Sequence, residues 1–208
     1  MKRSVSTLII LSLFSKKSFS QNTDLILLKS INQNEYSQWD AAMKITSTSV
    51  FPFAGLSAGG ILLVGYINKD KELMRSGCKT IIAIAAAVLF TEALKYSVQR
   101  PRPFVTYPND IVMRTDASDY SFPSGHTYLA FATATSLTLS TKKWYVAVPA
   151  YLLASFIGYS RMRLGVHYPS DVLCGAILGA GTALLTWQID KWMRNKKKKN
   201  SDKKEIVN

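Results

Sequence analysis

The chain has 208 residues, 48% of them hydrophobic, with 26 Lys and Arg against 13 Asp and Glu. That length allows one domain or a small bundle of membrane spans, and the gathering of apolar residues into long runs excludes an ordinary soluble globule. The formal charge of +13 does not indicate nucleic acid: much of it sits in the tail from Lys191 to Lys204, and no nucleic-acid module signature accompanies it.

Residues 1–20 read as a secretory signal peptide. Lys2 and Arg3 precede an apolar core over 5–14, and Ser18-Phe19-Ser20 offers a small-x-small cleavage site before Gln21. Residues 21–49 mix Leu25, Leu28, Ile31, Trp39 and Met43 with polar neighbours. An ordinary surface helix would look the same, but a membrane span follows directly, so an interfacial helix is expected. Five apolar stretches come next, at 50–67, 77–94, 127–141, 145–159 and 172–189. The fold class expected is therefore all-α, a membrane helical bundle of about five transmembrane helices over residues 50–190, followed by a basic cytoplasmic tail over 191–208.

The third stretch is short and rich in Thr and Ser, which predicts that its neighbours shield it from lipid. Gly55 and Gly59, and again Gly175 and Gly179, stand four apart, a spacing that lets helices approach closely. Cys78 and Cys174 fall near opposite faces of this topology and are expected to be free thiols.

Lys69, Lys71, Arg75, Lys79, Lys142, Lys143 and the tail all fall on one side if the spans alternate, so that side is cytoplasmic. The active site is thereby expected on the periplasmic, outer side of a multi-pass inner-membrane protein. Lys95, Arg100, Arg102, Arg114, Arg161 and Arg163 lie on that outer side against the rule. Orientation does not account for cations there, and anion binding does.

Three clusters on the outer connections carry chemistry. Lys95 to Pro103 is basic. Pro123-Ser124-Gly125-His126 opens the third span, where free N–H groups and the helix dipole favour an anion. Ser160 to Asp171 contains Arg161, His167 and Asp171, and a carboxylate near an imidazole can fix its tautomer. The bland alternatives are an ordinary helix start for the second cluster, and for the third a dipole-complementing Asp171 with an interfacial His167. Yet both histidines of the chain fall in these clusters, beside surplus cations. Two imidazoles can divide phosphoryl transfer, one attacking and one protonating, while Arg and Lys hold the phosphate oxygens. A metal held by His126, His167 and Asp171 is a weaker reading, because the surrounding cations would repel it.

These residues resemble the type 2 phosphatidic acid phosphatase and haloperoxidase superfamily, whose pattern is Lys-x6-Arg-Pro, Pro-Ser-Gly-His and Ser-Arg-x5-His-x3-Asp. Lys95 with Arg102-Pro103, Pro123 to His126, and Ser160-Arg161 with His167 and Asp171 match it in order. The resemblance implies that His167 forms a phosphohistidine, Asp171 orients it and His126 protonates the leaving group. Lys95, Arg102, Ser124, Gly125 and Arg161 would bind phosphate, with no metal and no cofactor. Arg100 and Arg163 stand outside the pattern and read as solvated or headgroup-facing charge. The loop over 104–122, with Asp110, Asp116 and Asp119, reads as a solvated lid.

The function expected is hydrolysis of a lipid phosphate monoester or diphosphate, with membrane lipids around it, no nucleic acid and no obligate protein partner. A vanadate-dependent haloperoxidase and a catalytically silent membrane scaffold are the alternatives. Apolar spans argue against the first, and intact His126, His167 and Asp171 against the second.

Overall fold

A computed structural model of the chain describes residues 17–32, 37–117 and 120–207. Residues 1–16, most of the expected signal peptide, lie outside the described residues, as does Asp119. The structure is helical: α1 (Lys17–Asn32), α2 (Ser37–Thr48), α3 (Val50–Ile67), α4 (Lys71–Val98), the short α5 (Pro103–Thr106), α6 (Gly125–Thr141), α7 (Trp144–Arg163) and α8 (Pro169–Val207).

Each of the five apolar stretches falls within one helix. Three helical segments, Gln38–Ile67, Lys71–Thr106 and Pro169–Asn200, are long and apolar enough to cross a membrane by length and composition. Their apolar side chains point outward; Leu56, Leu89 and Ile177 are all exposed. In a bilayer such a surface meets hydrocarbon, and the polar backbone is satisfied inside each helix.

Helix α6 sits at the centre, packed against α3, α4, α7 and α8. Ala130, Ala132, Ala134, Thr133 and Ser136 are fully buried, as expected for the Thr- and Ser-rich stretch. The small residues let the neighbours close in. A Cβ on Gly175 would stand 2.8 Å from the Ser124 carbonyl oxygen, and one on Gly179 only 2.2 Å from that of Tyr128. Gly55 and Gly59 behave otherwise: nothing lies within 4 Å of their Cβ positions, and they face outward. Equal spacing thus serves packing in one helix and not in the other.

Helix ends follow local chemistry. Asp70 caps α4, its Oδ1 accepting from the backbone N–H of Glu72 at 3.0 Å and of Leu73 at 2.9 Å. Gln99 and Lys142 close α4 and α6 in the left-handed conformation. Cys78 and Cys174 are free.

Residues 21–49 form two helices rather than one, and both dock on the end of the bundle that carries the three motif clusters. α1 packs on α7 and α8, and α2 on α7. Asn32, fully buried, donates to the carbonyls of Val112 and Arg163, each at 3.0 Å, and accepts from the Val112 N–H at 2.8 Å. Asp40 of α2 pairs with Arg163 at 3.1 Å and Arg114 at 2.9 Å. Arg163 is therefore neither solvated nor headgroup-facing: it is 4% exposed and also donates to the Ile31 carbonyl at 3.0 Å. Its charge ties the N-terminal helices to the bundle.

Candidate active site

The motif clusters meet at the end of the bundle where α4 stops, α6 starts and α7 passes into α8. The α7–α8 turn depends on Gly165, whose φ is +75° and whose Cβ would lie 2.3 Å from the Val112 carbonyl oxygen. That turn delivers His167 inward, and α8 begins at Pro169, at the proline that the sequence marks as a helix start.

A cavity of about 530 Å³ opens here, lined by Lys95, Arg102, Gly125, His126, Arg161 and His167, with Asp116 at its rim. Six of the eight expected site residues thus share one space. Arg102 and Arg161 are buried, at 5% and 6% exposure, and His167 is 2% exposed. Three cations aimed at one cavity repel one another unless an anion enters. Arg161 has donor capacity to spare. Its Nη1 donates to Ser47 at 2.6 Å, while its Nε is buried with no hydrogen-bond partner among the described residues. Lys95 rests against Glu92 at 3.2 Å.

His167 is held in one tautomer. Its Nδ1 lies 2.7 Å from the Ser121 carbonyl, which only accepts, so Nδ1 carries the proton. Nε2 is left with its lone pair on the cavity side, 3.4 Å from the Arg102 guanidinium, which only donates. Burial, with Arg161 and Arg102 also opposing protonation, lowers the His167 pKa to about 4 against the pull of Asp171. His126, one residue ahead of the apolar stretch 127–141, is pushed down to about 3 by burial first, then by Arg161, His167, Lys95 and Arg102. Both imidazoles are therefore neutral at neutral pH.

Two expected site residues stand behind the cavity. Asp171 is fully buried with Oδ2 at 3.6 Å from His167 Nδ1, just outside hydrogen-bond range. That oxygen accepts from the Tyr168 N–H at 2.9 Å, and Oδ1 from Arg100 at 2.6 Å. The direct acceptor for His167 is a backbone carbonyl, which carries no signature in sequence. Ser124 is fully buried, its hydroxyl 2.9 Å from that of Thr127. Among His, Cys, Asp and Glu, no group of three among the described residues is placed to hold a metal ion.

Arg100 also departs from the solvated charge expected of it. It bridges Asp171 and Asp24 and stacks over Tyr168, 3.8 Å from the ring centre. In the loop, Asp110 pairs with Lys29 at 2.7 Å, whereas Asp116 is exposed at the cavity.

Beside the cavity, and sharing Lys95, Gly125 and His126 with it, a groove of about 190 Å³ runs down between α3, α4 and α6. Val50, Phe51, Ala87, Val88 and Leu129 make its walls apolar. The Phe51 ring meets the His126 imidazole edge-on at 5.5 Å.

Comparison with known proteins gives a family, two relatives and a solved structure of the same fold. A family model described as the PAP2 superfamily matches residues 76–195. The chain is 29% identical over 164 residues to an undecaprenyl-diphosphatase of Sulfolobus acidocaldarius, covering 79% of this chain and 77% of that one. It is 36% identical over 132 residues to a lipid A 1-phosphatase of Porphyromonas gingivalis, of whose length it spans only 26%. Among solved structures, a membrane phosphatidylglycerolphosphate phosphatase of Bacillus subtilis shares the fold, with a TM-score of 0.68 at 24% identity over 92% of this chain and 97% of that one.

Proposed function

Because the chain belongs to the PAP2 superfamily, we propose that it is an integral membrane phosphatase that hydrolyses a lipid phosphate monoester or diphosphate through a phosphohistidine. The observation that carries this is the convergence of Lys95, Arg102 and Arg161 on one cavity with His126 and His167. Cations so placed offer donors to the equatorial phosphate oxygens, where charge is spread in the transition state. The Nε2 lone pair of His167 attacks phosphorus as the bond to the leaving oxygen breaks, and His126 gives that oxygen its proton. Water then attacks the phosphohistidine, His126 takes the water's proton, and inorganic phosphate leaves.

His126 so placed is neutral at neutral pH, yet the first step needs it protonated. A phosphate dianion supplies the remedy: burial first and the nearby cations second hold the His126 pKa down, and a dianion beside the ring opposes both by favouring its charged form, so the acid is charged when substrate is bound. The same cations do the work that a metal does in other phosphatases, so the reading needs none.

A lipid substrate is supported by the apolar groove that joins the cavity at Lys95, Gly125 and His126. We take all five apolar helices to cross the membrane, with the cavity at the outer face, where a lipid headgroup lies level with it. A polyprenyl diphosphate is the first substrate to try, since the undecaprenyl-diphosphatase relative aligns over most of both chains.

The test is phosphate release by purified protein in detergent from polyprenyl diphosphate, lipid A phosphate, phosphatidylglycerol phosphate and phosphatidic acid. Release from at least one is expected, with a fall of at least about a thousandfold in His167→Ala. Undiminished release in that variant, or halide oxidation with vanadate in place of hydrolysis, would overturn the reading.

A further inference from the structure

Arg100 occupies no position of the motif pattern, and Asp24 lies ahead of residues 76–195, yet the two are built into the back of the candidate site. Arg100 Nη1 donates to Asp171 Oδ1 at 2.6 Å and to the Ser170 hydroxyl at 2.8 Å, and Nη2 donates to Asp24 Oδ2 at 2.9 Å. Asp24 Oδ1 accepts from the Ser170 N–H at 3.0 Å, so a carboxylate from α1 caps the first turn of α8. The Ser170 hydroxyl also donates to Asp24 Oδ2. Asp24 is 7% exposed and Asp171 is fully buried.

Two buried carboxylates share one guanidinium, leaving one net negative charge with little water to screen it. The nearest imidazole is that of His167, whose Nδ1 stands 3.6 Å from Asp171. Arg100 draws the charge of Asp171 away from that ring, and Asp24 draws Arg100 away from Asp171. The two residues therefore push the histidine in opposite directions. Their fork-to-carboxylate geometry also fixes where α8 starts, and with it the turn that carries His167.

We infer that Asp24 and Arg100 are positioning residues for phosphoryl transfer, acting through Asp171 on His167, which makes the N-terminal helix α1 part of the catalytic apparatus. This rests on the phosphatase reading for its kinetic half. The other charged or titratable groups that face His167 or share its cavity are Arg161 of α7, Arg102 after α4, Lys95 of α4, His126 of α6 and Asp116 of the 104–122 loop. The substitutions at Asp24 and Arg100 touch none of them, and His126→Gln serves only to assign the two imidazoles.

The chain has only two histidines, so ¹⁵N-histidine labelling of the full-length protein in detergent gives two imidazole titrations, assigned with His126→Gln. Arg100→Gln should raise the midpoint of His167, and Asp24→Asn should lower it. Phosphate release should lose about tenfold or more in kcat in both variants, with KM within about twofold, because neither side chain lines the cavity. Arg100→Lys, a point charge that cannot bridge two carboxylates, should move the titration the same way as Arg100→Gln but less far. If a neutral variant does not fold, Arg100→Lys carries the test with the same readouts. Midpoints that stay put, or that move together in one direction, would remove the inference even where thermal stability falls. Loss of phosphate release in His167→Ala keeps the two readings apart: if it fails to appear, the phosphatase reading falls, and if it appears while the midpoints stand still, only the positioning role does.

Discussion

In the proposed mechanism His167 brings together two demands that conflict in most proteins: it is almost fully buried, yet it is to present a lone pair to substrate. Burial settles the conflict by keeping the ring neutral, and the Ser121 carbonyl settles which nitrogen is free. Stability bears the consequence. The ordinary pKa is 6.5 and the folded value is about 4. Between these the unfolded chain binds a proton that the folded chain refuses. Stability from this residue is therefore complete above pH 6.5 and is lost as the pH falls towards 4, at up to about 1.4 kcal/mol per pH unit. His126 is shifted in the same direction. Thermal unfolding in detergent should show a larger drop between pH 7.5 and pH 5 in wild type than in His167→Gln. Equal drops would mean that the ring is not kept neutral by the fold.

At the scale of elements, the bundle was largely legible because lipid-facing helices must be apolar along their length. Each of the five runs in the sequence lies inside a helix, though α4 extends past its run, from Lys71 to Val98. Polar ends continue a helix as well as apolar middles do, so hydropathy marks the span and not the element. The motif residues were legible because their spacing is local. What stayed hidden depends on distant partners: Arg100 meets Asp24 across 76 positions, Arg163 meets Asp40 across 123, and Asn32 meets the Arg163 carbonyl across 131. No periodicity links residues so far apart. The glycine pairs teach the same lesson, since only the structure separates the packed pair from the exposed one. Gly179→Ala would drive a Cβ to 2.2 Å from backbone that cannot yield, and should cost about 1–3 kcal/mol or more. Gly55→Ala meets open space and should change stability by less than about 0.5 kcal/mol. Comparison of the two melting temperatures in one detergent checks this, and similar losses at both positions would refute the packing of α6 on α8.

Across the whole molecule the two ends of the bundle use positive charge differently. At the cavity end Arg100, Arg114 and Arg163 are held by Asp24, Asp171 and Asp40, while Lys95, Arg102 and Arg161 converge on the site. At the other end Arg75 and Arg194 pair with Asp190 and Glu72, and Lys79 lies 4.6 Å above the Trp187 ring. Lys69, Lys71, Lys142, Lys143 and the Lys-rich tail add further charge there. Cations bound in ion pairs or in a site have a structural reason to cross, whereas loose lysines beside span ends set orientation. Sorted in that way, the loose lysines gather mainly at the end away from the cavity, which supports the proposed orientation with the tail in the cytoplasm and the cavity outside. A periplasm-dependent phosphatase reporter should therefore be silent after Asn208 and active when inserted in the 104–122 loop. Removing the loose lysines at 69, 71, 142 and 143 should weaken that contrast, while replacing Arg163, which is locked to Asp40, should destabilise the protein without inverting it. An active reporter after Asn208 would put the cavity in the cytoplasm, and with it a different pool of phosphorylated lipids.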